Sequence, residues 1–223
     1  MPPRGPGRSY LEKRRRDFLD NFSDLLGSLA RTHSPAVAMV DDLYLNRRLG
    51  FAFRRPPQWH FNDVLEMGEV AAGQVLALGS DLGTWFTPGE LTPLVSVSEQ
   101  PLRGPVTGFS PAFSVFIDPR TERDVSAEDV AAEDAEILAD MLPDFTLESP
   151  AEAQWIADTQ AARYTAEFRF EHPNLSQPVP VRMQLLYILQ SDRALSFRLY
   201  DAPAIGLDRR REFRGVRASI HVA

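Results

Sequence analysis

YLNRRLGFAFRRPPQW, from Tyr44 to Trp59, is the stretch on which the reading of the fold turns. It reads as a short strand, a turn at Leu49-Gly50 and a second strand. Phe51 and Phe53 alternate with Ala52 and Arg54, which is the period of a strand with one buried face. Pro56-Pro57 stops the pairing, because proline has no N–H to give to a ladder.

Strand-like segments dominate the rest of the chain. Val37–Met39, Asp42–Leu45, Gly50–Arg54, Gln74–Leu78, Leu94–Ser98 and Ala112–Ile117 form a first group. Phe145–Glu148, Ala161–Glu171, Val179–Gln190, Ala194–Tyr200 and Gly215–Val222 form a second. Tyr164, Ala166, Phe168 and Phe170 alternate with polar neighbours, so one face of that sheet is apolar and requires a cover. Ser191-Asp192-Arg193 reads as a hairpin turn. Trp59–Glu69 reads as a short helix or a loop, Gly83–Pro93 as a turn-rich connection, and Asp208–Phe213 as a short helix.

Two longer helices are expected. Residues 1–8 are rich in Pro, Gly and Arg and are expected to be disordered. Ser9 to Glu12 then fits a capping box, and Leu11, Phe18, Phe22, Leu25, Leu26 and Leu29 place an apolar stripe on a helix over 9–33. Ser34-Pro35 breaks it. That stripe is the best available cover for the sheet. Ser126–Met141 is the second helix, with Ser126 as N-cap and Val130, Ile137, Leu138 and Met141 as its apolar positions. Residues 37–223 read as a single domain.

Composition narrows the function classes. The chain has 223 residues, enough to bury a core without covalent staples. It contains no Cys, which excludes a disulfide frame, a thiol nucleophile and a thiolate zinc site. The net charge of −7 argues against a nucleic-acid partner. Lys13 is the one lysine among 24 basic residues, an arginine bias that matches codon usage in a GC-rich genome. No apolar run is long enough to span a membrane. The N-terminal MPPRGPGRS leads into charged residues rather than an apolar stretch. The sequence as given therefore reads as cytoplasmic, with export requiring a leader already removed.

Three segments together resemble the PsbP-like family, whose founding members are extrinsic subunits of photosystem II. Its fold also occurs in a Ran-binding nuclear transport factor and in small bacterial accessory proteins. Tyr44–Trp59 is similar to the family's opening strand pair. WIADTQAARYTAEFRF (Trp155–Phe170) is similar to the segment where an Ile-Ala-Gly turn leads into a long aromatic strand, with Asp158 here in place of the glycine. VRMQLLYILQSDRALSFRLYDAP (Val181–Pro203) and FRGVRASIHV (Phe213–Val222) are similar to the closing hairpin, short helix and last strand. The resemblance implies an α+β domain, a central antiparallel sheet covered by helices on both faces as an α/β/α sandwich. It also implies a bacterial accessory or binding role rather than catalysis. The helix over 9–33 lies outside the family pattern.

Candidate site residues follow from the motifs and from what is missing. There is no GxSxG, no HExxH and no P-loop. Exposed aromatics anchor interfaces, so Trp59, Trp85 and Phe86, with Arg14 and Arg15 on the first helix, are candidates for contacting a protein partner. Core capping is the competing use of those aromatics, and packing on the sheet that of the first helix. His60, Asp63 and Glu66 share a face if they lie on a helix, and a His-plus-carboxylate set there would bind a divalent metal or do acid–base work. A polar loop is the simpler reading of that set. A third possibility is a small-ligand carrier with its pocket between the sheet and the first helix. No cofactor is expected.

Overall fold

A computed structural model of the protein describes residues 36–62, 93–101, 108–119, 125–156, 158–171, 175–191 and 193–223. The expected helix over 9–33, the disordered 1–8 and the strand at Gln74–Leu78 lie outside these residues. Residues Val37–Ala223 form one compact unit.

The opening stretch folds as its alternation dictates. β1 (Val37–Val40), β2 (Leu43–Asn46) and β3 (Phe51–Arg54) make an antiparallel meander. Tyr44, Phe51 and Phe53 point to its buried face. The chain then runs through β4 (His60–Asn62), β5 (Val95–Ser98) and β6 (Ala112–Pro119), followed by helix α1 (Ala127–Met141). Four long strands come next: β7 (Thr146–Ile156), β8 (Thr159–Phe170), β9 (Val179–Leu189) and β10 (Arg193–Asp201). Helix α2 (Arg210–Ala218) and the short β11 (His221–Val222) close the chain.

Two antiparallel sheets result. The smaller has the order β1-β2-β3-β11 and the larger the order β4-β5-β6-β10-β9-β8-β7. The larger sheet is buried on both sides, and its alternation sorts each strand's residues between two cores. Phe113, Val115, Leu186, Ile188, Leu195, Phe197 and Leu199 meet Tyr44, Phe51 and Phe53 of the small sheet, Trp59, and Phe213 and Val216 of α2. Residues one step along the same strands, among them Tyr164, Ala166, Met183, Leu185 and Tyr187, meet Ala127, Ala131, Ala135 and Leu138 of α1.

Helices on both faces are therefore found only in part. α1 covers one face, whereas the other is covered chiefly by a second sheet with α2 beside it. Among the described residues, Tyr44, Phe51 and Phe53 carry enough apolar surface to act as a cover, and α2 adds Phe213 and Val216 to the same face.

Local differences from the sequence reading have physical reasons. The last segment, expected as a strand over Gly215–Val222, is mostly helix, with only His221 and Val222 in strand. Val216 and Ile220 stand four apart and are both buried, so the apolar pattern fits a helical turn as well as an alternation. β7 extends to Ile156, although Phe145–Glu148 alone reads as strand. It is an edge strand, where Pro150 is tolerated, and its pairing with β8 shifts register between Leu147 and Glu152. On α1 the buried residues are Ala127, Ala131, Asp134, Ala135 and Leu138. The expected Val130, Ile137 and Met141 are only half-buried. Small alanines let the helix approach the sheet closely.

The N-terminus of α1 is closed by a capping box. The Ser126 hydroxyl accepts from the Asp129 amide at 3.1 Å, and the Asp129 carboxylate accepts from the Ser126 amide at 3.3 Å. Deeper in, Asp134 is 5% exposed on the face that meets the sheet. Its carboxylate accepts from Tyr164 Oη at 2.8 Å, Tyr187 Oη at 2.9 Å and Arg198 Nη2 at 2.9 Å. One carboxylate thus ties α1 to β8, β9 and β10. A buried charge is tolerated only with such pairing. Burial, reinforced by Asp134, pushes the Tyr164 phenol far above its ordinary range. Burial opposes the charge on Arg198, but Asp134 together with the surrounding tyrosines Tyr187, Tyr200 and Tyr164 outweighs it and raises its pKa.

Candidate functional site

Three hairpin ends and the C-terminus converge at one edge of the unit. The β2–β3 turn, residues 47–50, is built around Gly50, whose φ of +64° suits glycine. A Cβ there would also stand 3.1 Å from the Ala223 carbonyl oxygen. The Asn46 side chain accepts from the Leu49 amide at 3.0 Å, and the Gly50 carbonyl accepts from the Ala223 amide at 2.8 Å. Gln190, at the end of β9, donates to the Leu49 carbonyl at 2.9 Å, fastening the second hairpin to the first. The third hairpin joins β7 to β8 directly, with Ile156 paired to Thr159, so Asp158 fits the tight turn despite standing where the resemblance has glycine.

Between these turns lies an open groove of about 610 Å³. Arg47, Arg48, Trp155, Asp158 and Arg193 contribute its large and charged side chains. Trp155 is 68% exposed, the highest value among the large hydrophobic side chains described. Arg47 and Arg48 project from the turn as exposed residues. Among the described side chains that line the groove, Asp158 is the single acid beside Arg47, Arg48 and Arg193.

The residues singled out from sequence are distributed differently. Trp59 is 4% exposed, with ring centroids 6.4 Å from Phe113 and 6.1 Å from Phe213. It is a core side chain and is not available as an exposed anchor. Its burial follows from the chain reversal after Pro56-Pro57, where Gln58 adopts φ +67° and the Arg55 guanidinium donates to the Trp59 carbonyl. His60 is exposed but lies on strand β4, paired with Ser98. The three-residue helical spacing that would group it with Asp63 and Glu66 therefore does not hold at His60. Asp63, Glu66, Trp85, Phe86, Arg14 and Arg15 lie outside the described residues. Among the described residues no group of three or more His, Asp or Glu side chains is placed to hold a metal ion.

Two features were missed from sequence. Trp155 belongs to a segment similar to the family pattern, but the expected strand Phe145–Glu148 ends before it, whereas β7 reaches Ile156. Asp134 stands three residues after Ala131 and four before Leu138 on an apolar stripe. A lone acid at such a position is the signal that a polar group is waiting opposite.

No protein-family model matches the chain, and no curated protein does. Solved structures do. The solution structure of cyanobacterial PsbP (CyanoP) from Synechocystis sp. PCC 6803 matches at 17% identity and a TM-score of 0.45, over 83% of this chain and 95% of that one. LpqN of Mycobacterium tuberculosis, described as involved in cell envelope biogenesis, matches at 12% identity and a TM-score of 0.45, over 78% of this chain and 83% of that one. A protein from Bacteroides thetaiotaomicron VPI-5482 matches at 10% identity and a TM-score of 0.40, over 78% of this chain and 45% of that one. PsbP, the family whose motifs the sequence resembles, is thus among the matches. Among the described residues no helix is long and apolar enough to cross a membrane.

Proposed function

We propose that the chain is a non-enzymatic binding module that takes an acidic segment of a protein partner in the groove between its hairpin turns. The observation that carries this reading is the exposure of Trp155 beside Arg47, Arg48 and Arg193. An indole that stays 68% exposed on an edge strand gains little from burial, and Trp and Arg are the residues that dominate interface energetics. The positive lining selects for carboxylates, and guanidinium forks match them two bonds at a time. The sequence holds no recognisable nucleophile or phosphate-cradling motif, which supports binding without turnover.

The test is a comparison of the wild-type chain with Trp155→Ala and with Arg47→Glu/Arg48→Glu. Fluorescence anisotropy against a panel of labelled acidic peptides, some with an aromatic residue and some without, gives the affinities. Wild type binds a subset of the panel, and both variants lose that binding while keeping native circular dichroism. Binding unchanged in both variants would contradict the reading.

A further inference from the structure

A second recess, of about 310 Å³, shares no residue with the groove and is lined by Gln184, Arg210, Arg214 and Arg217. Its construction is simple. Arg210, Arg214 and Arg217 stand at positions i, i+4 and i+7 of α2 and so line one face of the helix. Phe213 and Val216 of the same helix are buried in the core, which fixes how the helix lies. Gln184 rises from β9 to form the floor.

We propose that this recess is a binding site for a phosphate group. Four observations point there. Three guanidinium groups line one small recess. Among the described residues, Arg214 and Arg217 have no salt-bridge partner, while Arg210 meets Asp208 only at 3.5 Å. The Gln184 side-chain nitrogen is buried and makes no hydrogen bond, which is a costly state for a donor unless something accepts from it. Arg217 is held below its ordinary pKa by burial and by repulsion from Arg163 and Arg214, so the site bears unbalanced positive charge.

The geometry favours phosphate over a carboxylate. A carboxylate offers two oxygens, whereas three guanidinium forks and an amide N–H₂ need acceptors spread over a tetrahedron. A phosphate dianion also balances more of the clustered charge. Arg210 forms the rim, where Asp208 and the more distant Glu148 already temper its charge. Arg214, Arg217 and Gln184 supply the remaining donors.

Calorimetry and thermal unfolding of the full chain in sodium phosphate, against sodium chloride at equal ionic strength, test the site. Wild type shows a saturable rise in Tm with phosphate that chloride does not reproduce. The Arg214→Gln/Arg217→Gln variant loses roughly tenfold or more in affinity, the scale of two charge-assisted hydrogen-bonding groups. In chloride it unfolds no lower than wild type, since repulsion has been removed. Gln184→Met keeps the fold and loses affinity for the same ion. O-phosphoserine as a second probe separates the sources: tighter binding than phosphate assigns a phosphate monoester, and weaker binding assigns the free ion. No saturable response in wild type, or equal affinities in wild type and the double variant, overturns the proposal.

Discussion

On one face of the large sheet, Phe113, Val115, Ile188 and Phe197 meet the rings of Tyr44, Phe51 and Phe53 in a core that is almost wholly hydrocarbon. On the other face, Tyr164, Tyr187 and Arg198 turn their polar ends onto one carboxylate of α1. The first face is held by area. Packing of this kind is non-directional and tolerates changes of shape if volume is kept. The second face is held by direction. A carboxylate with three donors fixes where α1 sits, and removing the carboxylate leaves the Arg198 charge without its ion-pair partner. The two halves of one sheet should therefore fail in different ways.

The largest effect is expected at Asp134. Asp134→Ala leaves the Arg198 charge uncompensated and should cost about 3–5 kcal/mol in urea unfolding, the range for breaking a buried ion pair. A loss below about 1 kcal/mol would erase the contrast between the faces.

Tyr164→Phe comes next, at about 1.5–3 kcal/mol, because it removes one hydrogen bond to a charged group. It also carries a pH signature. Burial and Asp134 raise the Tyr164 pKa in the folded state above the value near 10 of the unfolded chain. The folded state then holds a proton that the unfolded state releases. The stability from Tyr164 is full below about pH 10 and falls as pH rises above it. Unfolding curves between pH 8 and 11 should show a steeper alkaline decline for wild type than for Tyr164→Phe.

On the hydrocarbon face, Ile188→Val should cost about 0.5–1.5 kcal/mol, since one methylene is lost from a fully buried side chain. A loss as large as that of Asp134→Ala would mean that this face is as direction-dependent as the other. Ser126→Ala, which opens the cap of α1, should cost about 1 kcal/mol and should appear as fraying at that end of the helix, read by amide exchange.

The same division explains what could be read in advance. Area leaves a trace in sequence. Phe51 and Phe53 announce β3, and the alternation through Tyr164 and Phe168 announces β8. Direction leaves much less. Asp134, Tyr164 and Arg198 are 30 and 34 residues apart along the chain, and nothing local pairs them. The end of the chain was misread because Val216, Ile220 and Val222 satisfy two periods at once, and a helix of nine residues shows too few repeats to choose. Trp59 reads as an anchor if it is exposed, since aromatics dominate interfaces, yet the chain reversal at Gln58 turns it inward. The groove was legible only in fragments. Leu49-Gly50 and Ser191 were both read as turns, but their meeting with Trp155 depends on strand lengths that set where each hairpin ends.

Trp155 lies outside both cores, so it offers the most direct test of the functional reading. The measurement is the affinity of wild type and Trp155→Ala for the acidic peptide that wild type binds best, with unfolding followed in parallel. Stability should change by no more than about 0.5 kcal/mol, as for an exposed residue, while affinity falls by roughly thirtyfold or more, the scale of an interface hot spot. Equal affinities with equal stabilities would contradict the account and remove the groove as the binding site.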